Sequence, residues 1–318
     1  DNIAPDRKLQ KYIFKLQERG IVLAINSRNN LDDAFNVIEN HPEIILRKKN
    51  FSAWRINWQD KSVNMKELAQ ELNLGTDSFV FIDDDLFQQN SVRSNFPEIA
   101  VLPPELLENY PGFTALSVTS EDVKRGQMYM EERQRREFQE TLGSVNDFLK
   151  QLNLEVKIKF ADRRIIPRIA QLTQKTNQFN LTTRRYSEED IKNLLDKNWQ
   201  IWYVEAKDRF GDYGIIGTAM IEPLESLWRI DNFLMSCRIL GRNIENAFLA
   251  FLLKKAKENN AECLIGEFIP TEKNKPCRTF YKDSGFCLHE PDKEVQSYRV
   301  DLKEIQENFP DFIKINIS

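Results

Sequence analysis

The run Phe79-Val80-Phe81-Ile82 ends abruptly in three consecutive carboxylates, Asp83-Asp84-Asp85. Its β-branched and aromatic residues predict a buried strand of a parallel sheet. Ligands of open α/β sheets bind at the carboxyl ends of such strands. Adjacent acids there repel one another unless a cation sits among them. Hard oxygen donors on a strand tip suit Mg²⁺, which takes one or two carboxylates together with substrate phosphate. The plainer alternative is a solvated acidic turn closing a core strand.

The chain around this run reads as α/β. Leu9, Tyr12, Ile13 and Leu16 give a helical spacing over 8–19, and Gly20 stands where a helix ends. Residues 21–25 predict a buried strand, followed by a polar turn over 26–30. Helices are expected from 32 to 39 and from 66 to 72, and a short strand over 99–101. Strands alternating with helices imply one parallel sheet. Pro103-Pro104 and Pro111-Gly112 punctuate its end, giving a first domain over 1–112. A charged helical linker is expected over 113–152, interrupted near Gly143-Ser144, with Arg133, Arg135 and Arg136 on a solvated face.

Residues 153–302 predict a mixed α+β domain. Residues 154–160 alternate at period two, and 164–176 is helical. Ser187 caps a further helix. Strands over 200–204, 214–220 and 227–235 precede an amphipathic helix over 243–257 and a strand over 261–266. Residues 303–318 are left as a C-terminal tail. A chain of 318 residues has room for two such cores.

Composition narrows the function. A formal charge of -4 is too small for a general nucleic-acid surface. No apolar stretch approaches membrane-spanning length, and the polar start over 1–5 does not read as a secretory leader. Cys237, Cys263, Cys277 and Cys287 lack CxxC spacing, and only His41 and His289 could join them, so a structural zinc site is not expected. Reduced thiols of a cytoplasmic protein are the simplest reading.

Ser27, Lys61 and the pair Asp83 and Asp84 sit at strand ends or loops. A hydroxyl, an ammonium and a metal-binding acid pair can together hold one phosphoryl group. Taken singly, Ser27 is equally a turn residue and Lys61 a solvated surface lysine. In the second domain, Arg238, Gly241 and Arg242 lie between a strand and a helix N-terminus. A glycine turn there presents backbone N–H groups to the pyrophosphate of coenzyme A or the phosphate of phosphopantetheine. Cys237 stands beside Arg238, where thiolate is favoured, so a transient acyl-thioester competes with a buried packing role.

The order Ser27, Lys61, Asp83-Asp84 resembles the haloacid dehalogenase (HAD) superfamily of phosphohydrolases. The order strand, Arg238-Ile239-Leu240-Gly241-Arg242, helix, strand, then Phe280-Tyr281-Lys282-Asp283-Ser284-Gly285-Phe286, resembles the GNAT acyltransferase fold. The text is more similar still to FkbH-like proteins, which join these two domains. That similarity rests on Arg19-Gly20-Ile21, Ser27-Arg28-Asn29-Asn30, Ile56-Asn57-Trp58-Gln59-Asp60-Lys61, Glu71-Leu72-Asn73-Leu74-Gly75, Thr119-Ser120-Glu121-Asp122, Lys175-Thr176-Asn177-Gln178-Phe179-Asn180, Ser236-Cys237-Arg238 and Pro270-Thr271-Glu272-Lys273-Asn274. The resemblance implies that Ser27 contacts the phosphoryl group, Lys61 neutralises charge there, and Asp83 and Asp84 serve Mg²⁺. It implies transfer of a glyceryl unit from 1,3-bisphosphoglycerate to the phosphopantetheine thiol of an acyl carrier protein, with loss of phosphate. The superfamily nucleophile belongs to a DxDxT motif, absent before Ile21, and a fragment beginning after that motif is expected. Two rival readings stand beside it: a simple phosphohydrolase with a binding-only second domain, and a degenerate pair used for binding or assembly.

Overall fold

The computed structural model describes residues 6–72, 74–114, 120–291 and 294–317. The start 1–5, Asn73 and Thr119 therefore lie outside the described residues. The chain divides into two compact units, Asp1–Glu137 and Phe138–Ser318.

Unit 1 starts with α1 (Arg7–Glu18), capped by Asp6, whose carboxylate accepts the N–H groups of Lys8 and Leu9. Then come β1 (Ala24–Ser27), α2 (Leu31–Asn40), β2 (Ala53–Ile56), α3 (Lys61–Leu72), β3 (Val80–Ile82), α4 (Leu86–Asn95), β4 (Ala100–Leu102) and α5 (Ser120–Glu140). β1 pairs parallel with β2 from Ala24↔Ala53 to Ser27↔Ile56, and β3 pairs parallel with β4. The pairing moves the expected strand 21–25 towards its carboxyl side, so Ser27 ends the strand rather than sitting in the turn. The single parallel sheet expected here is instead two two-stranded ladders, and no strand joins them among the described residues. Ala53 and Phe81, one from each ladder, nevertheless belong to one core with Met65, Leu68, Leu72, Val92 and Ile99.

β2 escaped the sequence pattern because Trp54-Arg55 interrupts its apolar run. Within the fold, Arg55 is neutralised by Glu67 and Glu71, each at 2.6 Å. The arginines of α5 are not simply solvated either. The Arg133 guanidinium lies 3.2 Å from the centroid of the Trp54 ring, and Arg136 is 3.9 Å from Glu71. The unit boundary falls inside α5, within the span expected to be a linker.

Unit 2 continues with α6 (Val145–Gln151), β5 (Leu154–Phe160), α7 (Ile166–Lys175), β6 (Phe179–Asn180), α8 (Glu188–Asp196), β7 (Gln200–Lys207), β8 (Asp212–Leu224) and β9 (Leu227–Met235). It ends with α9 (Ile244–Glu258), β10 (Cys263–Phe268), α10 (Phe280–Asp283), β11 (Cys287–Pro291), β12 (Gln296–Asp301) and β13 (Ile313–Ile317). Its nine strands form one sheet in the order β11-β12-β10-β9-β8-β7-β5-β13, with β6 beside β9. Strand alternation sends Trp202, Val204 and Ile216 to one face and Ile201, Tyr203 and Ile215 to the other. The first face packs on α9 through Phe233, Phe248 and Phe251; the second packs on α7 and α8 through Ile169 and Ile191. Residues 303–318, expected as a tail, carry β13, which pairs parallel with β5 from Ile313↔Leu154 to Ile317↔Ile158.

Two features position the second site. β9 and β10 pair in parallel only from Leu227↔Cys263 to Ile230↔Gly266, and then part. The gap is closed by the chain's own backbone. β6 pairs with Met235 and Leu234, Leu181 N–H donates to the Phe233 carbonyl at 3.0 Å, and Ile269 N–H donates to the Leu181 carbonyl at 2.8 Å.

Candidate functional site

In unit 1 the carboxyl ends of β1 and β3 converge on Lys61, the first residue of α3. The Lys61 ammonium lies 2.5 Å from Asp83 Oδ2, and both side chains are largely buried. Asp83 Oδ1 accepts the Asp85 N–H at 3.0 Å, and the Asp83 carbonyl accepts from Gln89 Nε2 at 2.7 Å. Asp85 accepts the Phe87 N–H and so caps α4. Three apparently equivalent acids thus take separate places: Asp83 faces inward, Asp84 is exposed, and Asp85 closes a helix.

A cluster of amides fixes the lysine. Asn26 Nδ2 donates to the Lys61 carbonyl at 2.8 Å, and Asn64 Nδ2 donates to Asn26 Oδ1 at 3.1 Å and Asn57 Oδ1 at 3.0 Å. The Asn57 N–H in turn donates to the Ser27 carbonyl at 3.1 Å. Ser27, Lys61 and Asp83, far apart in sequence, are therefore joined by a run of five hydrogen bonds through Asn57, Asn64 and Asn26. Hydrogen bonds from the Ser62 hydroxyl and N–H hold Asp60, just ahead of α3, below the usual carboxylate range. Trp58, Leu86 and Phe87, near the site in sequence, are 65%, 68% and 70% exposed, and the Trp58 indole N–H donates to Asn30 Oδ1 at 3.0 Å.

Asp83 and Asp84 are the carboxylates a hard cation would use, since Mg²⁺ takes one or two from the protein and keeps several waters; Asp83 already meets Lys61 through Oδ2 and the Asp85 N–H through Oδ1, and Asp84 is exposed. Among the described residues, no group of three His, Cys, Asp or Glu side chains forms a closed metal cage.

In unit 2 the loop between β9 and α9 has the expected turn. Gly241 has φ +80° with open space where a Cβ would stand. Asn243 has φ +59° at the N-cap of α9, a left-handed conformation that Asn accepts more readily than most residues. The Asn243 side chain makes no capping bond, although the Glu245 carboxyl accepts a backbone hydrogen bond in the same first turn. Cys237 is exposed, not a buried packing residue, and Arg238 Nε donates to Ser236 Oγ at 3.3 Å. Arg242 turns inward instead. It is 6% exposed, donates to the Arg238 carbonyl, and lies 5.2 Å from the Tyr213 ring centroid. Glu245 encloses one carboxyl oxygen in the same turn, and burial pushes it above the usual carboxylate range. Arg238, Gly241 and the first α9 amides line the turn together with the enclosed Glu245 carboxyl, and β6 and Leu181 occupy the edge of β9 beyond its pairing with β10.

A second constellation lies on the same sheet; the sequence offers Arg184, beside Thr182, Thr183 and Arg185, as a candidate acyl-phosphate contact or a surface-loop residue, but not its partners Asp231, Glu267, Arg229 and Tyr186. Arg184 donates to Asp231 and, at 2.6 Å, to Glu267; Arg229 reaches Glu267 at 2.8 Å and Glu222 at 2.6 Å. Tyr186 donates its hydroxyl to Asp231. Burial raises the Asp231 carboxyl more than Tyr186 and the arginines draw it down, and burial followed by the Asp231 bond raises the Tyr186 phenol. Beside this network, Thr182 Oγ1 and Asn232 Oδ1 are buried without partners among the described residues, as is the Tyr281 hydroxyl. Thr183 has φ +53°, a strained conformation for a β-branched residue. The available signal was charge inside apolar strands: Arg229 and Asp231 in β9, and Glu267 in β10.

No protein-family model matches the chain, and no curated protein matches it. Similar solved structures include a phosphatase domain and GNAT acetyltransferases. The first is the N-terminal part of a Bacteroides fragilis protein, containing a phosphatase domain complexed with Mg. It is 32% identical over 35% of this chain and 31% of that chain, with a TM-score of 0.33. The matched region is thus about a third of that neighbour's length. A GNAT-family protein from Desulfovibrio desulfuricans is 17% identical over 46% of this chain and 99% of its own, with a TM-score of 0.35. A Salmonella typhimurium protein solved with its cofactor acetyl-CoA is 10% identical over 47% and 95%, with a TM-score of 0.35.

Proposed function

We propose that the protein is an enzyme that handles an acyl phosphate. Unit 1 holds the phosphoryl group, and unit 2 passes the acyl group to the phosphopantetheine thiol of an acyl carrier protein. The observation that carries this reading is the buried Lys61–Asp83 pair at 2.5 Å, set at a strand tip and tied through Asn26 and Asn57 to the end of β1. A lysine so fixed offers its positive charge to phosphate oxygens without having to be ordered when substrate arrives. Asp83 and Asp84 would hold Mg²⁺, which when bound would supply further neutralisation of the phosphate. Ser27 Oγ, at the end of β1, donates to a phosphate oxygen. Trp58, Leu86 and Phe87 shelter the carbon part of the substrate.

In unit 2, Arg238 and the first amides of α9 hold the phosphate of phosphopantetheine. The carrier thiolate attacks the acyl carbonyl, a C–S bond forms, and the C–O bond to phosphate breaks. Phosphate leaves with the electron pair, and the thiol proton passes to solvent. A glyceryl unit is the acyl group proposed. No residue of the sequence is assigned as an aspartyl nucleophile.

The inward turn of Arg242 and the covered edge of β9 favour a second reading, hydrolysis of the phosphate by unit 1 with unit 2 as a binding module. Incubation with labelled glyceroyl phosphate, Mg²⁺ and a phosphopantetheinylated carrier protein separates the two. Label on the carrier supports transfer; phosphate release without carrier label supports hydrolysis. Absence of both products refutes both readings.

A further inference from the structure

A groove of about 920 Å³ runs along unit 2 between α9 and the segment 304–312. Its floor is apolar: Leu249 and Leu253 of α9 are buried in it, and Phe309 stands at its edge, 37% exposed. Its rim carries Asp283, Glu304 and Asp311, all exposed, and no Lys or Arg lines it. The wall is fixed rather than loose. Lys257 donates to the Ile305 carbonyl at 2.7 Å and pairs with Glu307 at 2.9 Å. The groove is within the size range of sites that take ligands.

We propose that this groove docks a partner protein segment carrying lysine or arginine beside large apolar side chains. Three exposed carboxylates lining an apolar floor complement that chemistry and repel acidic or phosphorylated ligands. The groove begins at Asn243 and Asn246 of α9, next to the phosphate-binding turn, so a segment seated there brings its basic side chain towards that turn. The inference does not rest on the proposed acyl transfer.

The test is fluorescence polarisation of the full chain with two labelled peptides of equal length, one alternating lysine with leucine and one alternating glutamate with leucine. The basic peptide binds saturably and weakens as salt rises from about 0.05 to 0.5 M, where charges are screened. The acidic peptide does not bind. The variant Asp283→Asn, Glu304→Gln, Asp311→Asn binds the basic peptide about tenfold more weakly, the scale of three exposed ion pairs. The control Asp32→Asn, Glu105→Gln, Glu140→Gln changes the net charge equally and leaves binding intact. Equal binding of both peptides overturns the proposal, as does an equal loss in the control. Displacement of the basic peptide by coenzyme A assigns the groove to that anion and overturns it too.

Discussion

Replacing Tyr281 by Phe tests one of the buried polar groups of unit 2 that lack a partner among the described residues. The Tyr281 ring is 2% exposed and packs against Phe286, Phe280 and Tyr298, with centroids 5.1, 5.6 and 5.8 Å away. It lies flat against Gly266, where a Cβ would meet it at 2.2 Å. The ring therefore cannot move to find a partner for its hydroxyl. A buried polar group without a partner costs about 1–3 kcal/mol, and Phe keeps the ring while removing the oxygen. Tyr281→Phe should stabilise unit 2 by about 1 kcal/mol, a rise of roughly 2–4 °C in Tm for a unit of this size. Burial also pushes the phenol well above its ordinary value of 10.0. A raised folded pKa means stability that is present below the unfolded value and lost as pH rises beyond it. The wild type should therefore lose stability above pH 10.0, and the variant should lose about 1.4 kcal/mol less per pH unit. Thermal scans with hydrogen exchange at the β10 amides identify the relevant transition. A lower Tm for the variant, with the alkaline slope unchanged, refutes the reasoning and shows that the hydroxyl is already satisfied.

Three further outcomes follow from the two sites. Lys61→Met leaves Asp83 unpaired in a buried place and should cost about 3 kcal/mol in urea unfolding, while adding Asp83→Asn should recover most of it; a double variant no better than the single one counts against the pair. Asp231→Asn removes a carboxyl whose folded pKa is raised, so the wild type should lose stability relative to the variant as pH climbs through the carboxylate range; parallel pH curves would argue against this. Cys237→Ser should leave the melting curve unchanged because the side chain is exposed, and mass analysis after incubation with acyl donor should show any adduct on Cys237 lost in the variant.

The sequence pattern carried the strand tip and the order of elements, but not the directions of side chains. Asp83, Asp84 and Asp85 are identical in sequence, and only the packing of α3 and α4 decides which one meets Lys61. β2 was hidden because Arg55 breaks its apolar run, and the reason it can do so lies on α3, in Glu67 and Glu71. Asp231 and Arg229 lay inside a strand that was expected and Glu267 one residue past another, yet Arg184 comes from a separate segment, and pairing between distant segments leaves no periodic trace. β6 is too short for any pattern. β13 did carry one, since Ile313, Ile315 and Ile317 alternate with polar residues, but its parallel partner is at the opposite end of the unit.

That last pairing sets a timetable. β5 is the first strand of unit 2 to be synthesised and β13 the last, yet they are neighbours at one edge of the sheet. A ribosome adding 5–20 residues each second needs roughly 10–30 s to travel between them. Throughout that interval β5 has an open edge that other chains can pair with. Newborn unit 2 is therefore most exposed to mispairing just before its final strand emerges.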